Sequence, residues 1–130
     1  MVEFSKDEQK ALEEIISRLS KRAKQKFTLD SLLGKWSAFI ADVEKGYSGT
    51  VYDYTNDLSV RDLLEELIIE APPNAGAKLM AAIQKLDQKF IKLTQEAAFP
   101  FGSWQEGKAP FWWKRIPLKL RGELKEDLEQ

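Results

Sequence analysis

Residues 47–73 read YSGTVYDYTNDLSVRDLLEELIIEAPP, and the fold class turns on whether that stretch is strand or helix. Its TVYDYT portion has the β-branched and aromatic composition of a strand, yet Tyr47, Val51, Tyr54 and Leu58 recur at the i, i+4, i+7, i+11 spacing of one helix face. We take the helical period. Ser59 with Asp62 then reads as a fresh cap that restarts the helix through Val60, Leu63, Leu64, Leu67 and Ile68, so a bend or break is expected near 57–59. The helix stops at Ala71, before Pro72-Pro73.

The flanking segments share that character. Ser5 followed by Glu8 forms a capping box, and Leu12, Ile15, Ile16, Leu19, Ala23 and Phe27 continue at helical spacing, which predicts a first helix over 6–26. Thr28 or Asp30 caps a second helix whose stripe runs Leu29, Leu32, Leu33, Trp36, Ile40 and Val43 and ends at Gly46, a residue that accepts a left-handed cap. Asn74 opens a fourth, with Leu79, Ile83, Leu86, Phe90 and Leu93 on one face, expected to end near Ala98.

From Phe99 to Pro117 the punctuation changes, because Pro100, Gly102, Gly107, Pro110 and Pro117 forbid a long helix while aromatic residues crowd together. Pro117 suits a first helical position, and Leu120, Leu124 and Leu128 then mark a short terminal helix with a frayed acidic tail, EDLEQ. The whole reads as one all-α domain, 1–130: an antiparallel four-helix-type bundle with an aromatic, Pro/Gly-rich strap over about 99–117 and a short C-terminal helix.

Composition removes many functions. The 130 residues include no cysteine and no histidine, which excludes disulfides, thiolate zinc sites, Ser-His-Asp and Cys-His catalysis, and imidazole metal chemistry. An enzyme would have to work with carboxylate, lysine, tyrosine or arginine groups, with magnesium as the compatible metal. No apolar run approaches the roughly 18 residues of a membrane span, and the polar N-terminus lacks a signal-peptide core. A cytoplasmic location is expected, with no membrane association.

The formal net charge of −1 argues against nucleic acid as the partner. Its distribution is uneven. Residues 15–29 hold Arg18, Lys21, Arg22, Lys24 and Lys26 without an acid, and residues 47–71 set six acidic residues against Arg61 alone. The two patches are expected to neutralise each other in part.

The candidate site lies in FGSWQEGKAPFWWKRIP, residues 101–117. An extended chain there would place Phe111, Trp113 and Arg115 on one side and Trp112, Lys114 and Ile116 on the other, so each side carries a large aromatic ring. One side can pack on the bundle; the other needs a groove or a partner, and Trp beside Arg is the composition of an interface hot spot. The sequence therefore leads to a small, non-enzymatic interaction or regulatory module, without a cofactor, that self-associates as a homodimer or binds a protein partner. Its contacts would come from Trp104, Phe111, Trp112, Trp113, Lys114 and Arg115.

Two other functions remain open at this level. A magnesium-dependent hydrolase would use Asp53, Asp57 and Asp87 as ligands, the first two sharing a helix face and the third lying on the next helix. Asp87, flanked by Leu86 and Phe90, equally suits pairing with a buried arginine such as Arg61. Glu66 and Glu70 are spaced ExxxE and do not reproduce the carboxylate motifs of the all-helical nucleoside-triphosphate pyrophosphohydrolases. Single-stranded nucleic acid would require the Arg18–Lys26 face beside exposed tryptophans. KGYSGT has no phosphate-loop pattern.

Overall fold

The computed structural model describes residues 4–96, 113, 115–120 and 122–129. It contains helices α1 (Lys6–Ala23), α2 (Leu29–Lys45), α3 (Val51–Glu70), α4 (Pro73–Leu93) and α5 (Gly122–Glu129), with two three-residue strands, β1 (Thr94–Glu96) and β2 (Arg115–Pro117). The all-α reading holds, with four packed helices, a short terminal helix and a small antiparallel ribbon. Among the described residues no helix is long and apolar enough to cross a membrane.

Helix α1 begins at the capping box read from the sequence: Ser5 Oγ accepts from the Glu8 N–H at 3.1 Å, and Glu8 Oε1 accepts from the Ser5 N–H at 2.7 Å. It ends three residues before the expected position. Lys24 takes a left-handed conformation at φ 57°, and the Lys24 and Gln25 N–H groups turn back to carbonyls of the last turn. Phe27 is buried as its spacing implied, but from the turn, where its N–H donates to Ser20 Oγ at 3.0 Å.

Helix α2 starts at Thr28, which forms a reciprocal cap with Ser31, and ends at Gly46, whose φ of 102° is available to glycine without strain. Helix α3 differs from expectation in two ways. Its cap is Thr50 with Asp53, so Tyr47 lies in the preceding loop, and the helix runs unbroken through 57–59. Ser59 does not restart it; its hydroxyl folds back on the Asn56 carbonyl, the local bond that lets serine sit inside a helix.

Helix α4 opens one residue earlier than expected, at Pro73, where the missing N–H would have had no helical partner. It ends at Leu93, short of Ala98, because Thr94 is extended and enters β1. Pro117 likewise is not a helix start but the last residue of β2, paired with Thr94, while Ile116 pairs with Gln95 and Arg115 with Glu96. The expected strap thus ends in a strand.

Helix α3 packs against α1, α2, α4 and α5, which makes it the centre of the bundle. Phe39 joins an aromatic layer with ring centroids 5.8 Å from Trp36, 5.3 Å from Tyr54, 5.7 Å from Tyr47 and 6.0 Å from Phe90. Burying an aromatic or aliphatic side chain of this size stabilises a fold by about 1.5–3 kcal/mol, so this layer is a main source of stability. The terminal acidic segment is not frayed at Asp127, whose carboxylate accepts from the Val51 N–H at 2.9 Å and so ties α5 to the N-terminus of α3.

Candidate functional site

The end of the aromatic strap is built into the bundle by an ionic network. Arg61, buried on α3, donates from Nε and Nη2 to both Asp87 oxygens, at 3.0 and 2.9 Å, and from Nη1 to Glu65 at 2.9 Å. Asp87 Oδ1 also accepts from the Trp36 indole at 3.0 Å. A bidentate guanidinium–carboxylate pair with its remaining groups satisfied is the arrangement in which a buried charge is tolerated. The pairing of Asp87 with Arg61 that its sequence position implied is present.

Trp113 closes this network from outside α3. It is fully buried, its indole N–H donates to Asp62 Oδ1 at 2.6 Å, and its ring lies under the Arg61 guanidinium. Of the six residues expected to meet a partner, Trp113 therefore belongs to the core of its own chain. The reason is chemical: only a site with a hydrogen-bond acceptor accommodates a buried indole, and Asp62 supplies one.

Arg115 is half-buried and also turned to its own chain. Its Nε donates to Thr94 Oγ1 at 2.8 Å and its Nη2 to the Thr94 carbonyl at 3.0 Å, while its own carbonyl accepts from the Tyr54 hydroxyl. Trp104, Phe111, Trp112 and Lys114 lie outside the described residues. What the structure establishes for the strap is that its last residues, in β2, pair with β1, which precedes it in the chain.

The three carboxylates considered for magnesium serve three separate purposes. Asp53 completes the Thr50 cap, Asp57 accepts from the Tyr47 hydroxyl, and Asp87 is occupied by Arg61 and Trp36. Among the described residues no group of three or more acidic side chains is placed to hold a metal ion. Helical spacing places Asp53 and Asp57 on one face but cannot tell that a cap and a tyrosine already use them.

The basic face of α1 is partly spent in the same way. Arg18 pairs with Glu70, and Arg22 with Glu66 at 2.7 Å, so the two patches of opposite charge seen in the sequence meet across α1 and α3. Exposed pairs of this kind contribute about 0–1 kcal/mol each, and their main effect is to lower the net charge of the face. Trp36 and Trp113, buried and bonded to carboxylates, offer no stacking platform for bases.

A feature the sequence reading passed over is a trough between α2 and α3. Its larger part, about 610 Å3, has Phe27, Phe39, Val60 and Leu63 in its lining, with Lys35 and Arg22 towards the α1 end. A second depression of about 390 Å3 beside Tyr47 and Gly49 shares Asp42 and Asp57 with the first. Burial, the Asp57 hydrogen bond and the further negative charge of Asp53 and Asp42 hold the Tyr47 hydroxyl far above the usual tyrosine range. Asp42 follows Phe39 by three residues on α2, a spacing that would have placed it on the same side of the helix.

No protein-family model, characterised protein or solved structure matches this chain.

Proposed function

We propose that this chain is a small, non-enzymatic protein-interaction module working in a reducing cytoplasm, and that it binds a partner protein or a second copy of itself through the aromatic strap. Because Trp113 and Arg115 face inward, the contact falls to Trp104, Phe111, Trp112 and Lys114. The observation that carries the reading is the doubly fixed base of the strap: β1 paired with β2, Arg115 bound to Thr94, and Trp113 held by Arg61 and Asp62. Fixing both ends of an aromatic segment lowers the entropy lost when it is ordered against a partner, and tryptophans flanked by basic residues are the usual hot spots of such contacts.

The test is solution mass by light scattering, with circular dichroism and melting curves, for the wild type and for Trp104→Ala, Trp112→Ala and Trp113→Ala. A wild-type dimer that becomes a folded monomer in Trp112→Ala or Trp104→Ala, while Trp113→Ala chiefly loses stability, is the expected result. A monomeric wild type whose Trp112→Ala variant melts several degrees lower would place that residue in its own core and overturn the reading.

A further inference from the structure

The trough between α2 and α3 presents chemistry that the strap does not use. Apolar side chains of Phe39, Val60 and Leu63 line it, and Asp42 on α2 and Asp57 on α3 belong to both of its depressions. Both carboxylates are exposed and neither has an ion pair among the described residues. Of the three cations in its lining, Arg22 pairs with Glu66 at 2.7 Å and Lys35 lies over the Phe27 ring, 5.4 Å from its centroid, while Lys45 borders the second depression and not the apolar first one. An apolar floor crossed by unneutralised carboxylates complements a segment that carries both an apolar side chain and a cation.

We propose that this trough docks a lysine- or arginine-bearing amphipathic segment of a partner protein, its cation between Asp42 and Asp57 and its apolar side chains over Phe39, Val60 and Leu63. A metal ion is a poor occupant, since it needs several oxygens at bonding distance from one point and no such group is present among the described residues. An ammonium or guanidinium group is satisfied by looser arrangements of carboxylate and ring. The trough lies within the volume range of sites that take one compact ligand or a few side chains of a peptide. Its negative field would also speed the encounter with a basic partner.

The probe is a synthetic amphipathic leucine–lysine peptide, titrated into the 15N-labelled protein and followed through amide resonances. The expected result is saturable shifts confined to Lys35–Asp42 and Asn56–Leu63, and an affinity weakened roughly tenfold or more in Asp42→Asn/Asp57→Asn, because removing one side of a charge pair falls in that range. Asparagine still accepts from the Tyr47 hydroxyl, so the fold should persist. If the double variant melts lower, Asp42→Lys alone carries the same test, since Asp42 has no hydrogen-bond partner to lose among the described residues. The Trp112→Ala variant should bind the peptide as the wild type does, which keeps this proposal separate from the strap. Shifts scattered over the surface, an affinity unchanged in the variants, equal binding of a leucine–glutamate peptide, or spermine binding as tightly as the peptide would each overturn it.

Discussion

The guanidinium carbon of Arg61 lies 4.7 Å from the centroid of the Trp113 ring, while the same guanidinium is bonded bidentately to Asp87. One arginine on α3 therefore couples α4 to the end of the strap. A desolvated cation–π contact contributes about 2 kcal/mol and a bidentate carboxylate pair adds geometric specificity, so the two ends of the network reinforce each other.

Arg61→Ala should be the most destabilising single change in this region. Among the described residues it leaves Asp87 with the Trp36 indole alone and takes from Glu65 and Trp113 their shared partner, and breaking a buried pair costs about 3–5 kcal/mol. Arg61→Lys keeps the charge but not the planar fork, and should fall between wild type and alanine. Urea denaturation measures both; an alanine variant within about 1 kcal/mol of wild type would show that the network is not a source of stability.

Trp113 separates packing from hydrogen bonding. Trp113→Phe retains a ring under Arg61 but leaves Asp62 without the indole donor, at a cost of about 1–3 kcal/mol, whereas Trp113→Ala also opens a cavity and should cost about 3–5 kcal/mol. Double-mutant cycles with Asp62→Ala, which removes the acceptor that Asn would keep, isolate the bond. If Trp113→Phe and Asp62→Ala add without coupling, the 2.6 Å contact contributes nothing of its own.

Where the sequence was legible, a local pattern had a single physical cause. The Ser5 and Glu8 cap needs only two residues three apart, and Gly46 needs only the absence of a Cβ, so neither depends on packing. Helix α3 was harder because it touches four other helices, and its buried residues, among them Tyr54, Thr55, Val60 and Arg61, do not make one stripe. Its cap at Thr50 was masked by a strand-like composition, and Ser59 imitated a cap while serving as an internal hydrogen-bond donor. Of the strap, Trp113 could not be assigned from alternation along the chain, since what buries it is Asp62, 51 residues earlier.

Two glycines inside helices should respond in opposite directions to alanine. At Gly34, exposed on α2, an added Cβ meets nothing within 4 Å among the described residues, so Gly34→Ala should stabilise by roughly 1 kcal/mol through helix propensity. At Gly76, buried in the first turns of α4, the Cβ would stand 3.1 Å from the Ile68 carbonyl oxygen, a backbone atom at the close approach of α3 and α4. Gly76→Ala should therefore lower the melting temperature despite its better propensity. A stabilised Gly76→Ala would mean that the two helices can separate by a few tenths of an ångström without loss.

Tyr54 predicts how stability depends on alkaline pH. It is fully buried and its hydroxyl donates to the Arg115 carbonyl at the start of β2. Burial first, and then neighbouring Tyr47, push its pKa well above the ordinary value of 10, with Arg115 opposing them in part. A raised folded pKa means that the unfolded chain releases its proton first. The contribution is thus complete below about pH 10 and is lost as pH rises from there towards the folded value, with a slope of about 1.4 kcal/mol per pH unit from this residue. Tyr54→Phe should be less stable near neutrality by about 1 kcal/mol, having left the Arg115 carbonyl without its donor. Above about pH 10 its stability should fall less steeply than that of the wild type, so the two curves converge. Urea melts from neutral pH to about pH 11 measure this; parallel curves would show that Tyr54 ionises within the fold as readily as in the unfolded chain, and that its bond to Arg115 does not hold the strap end in place.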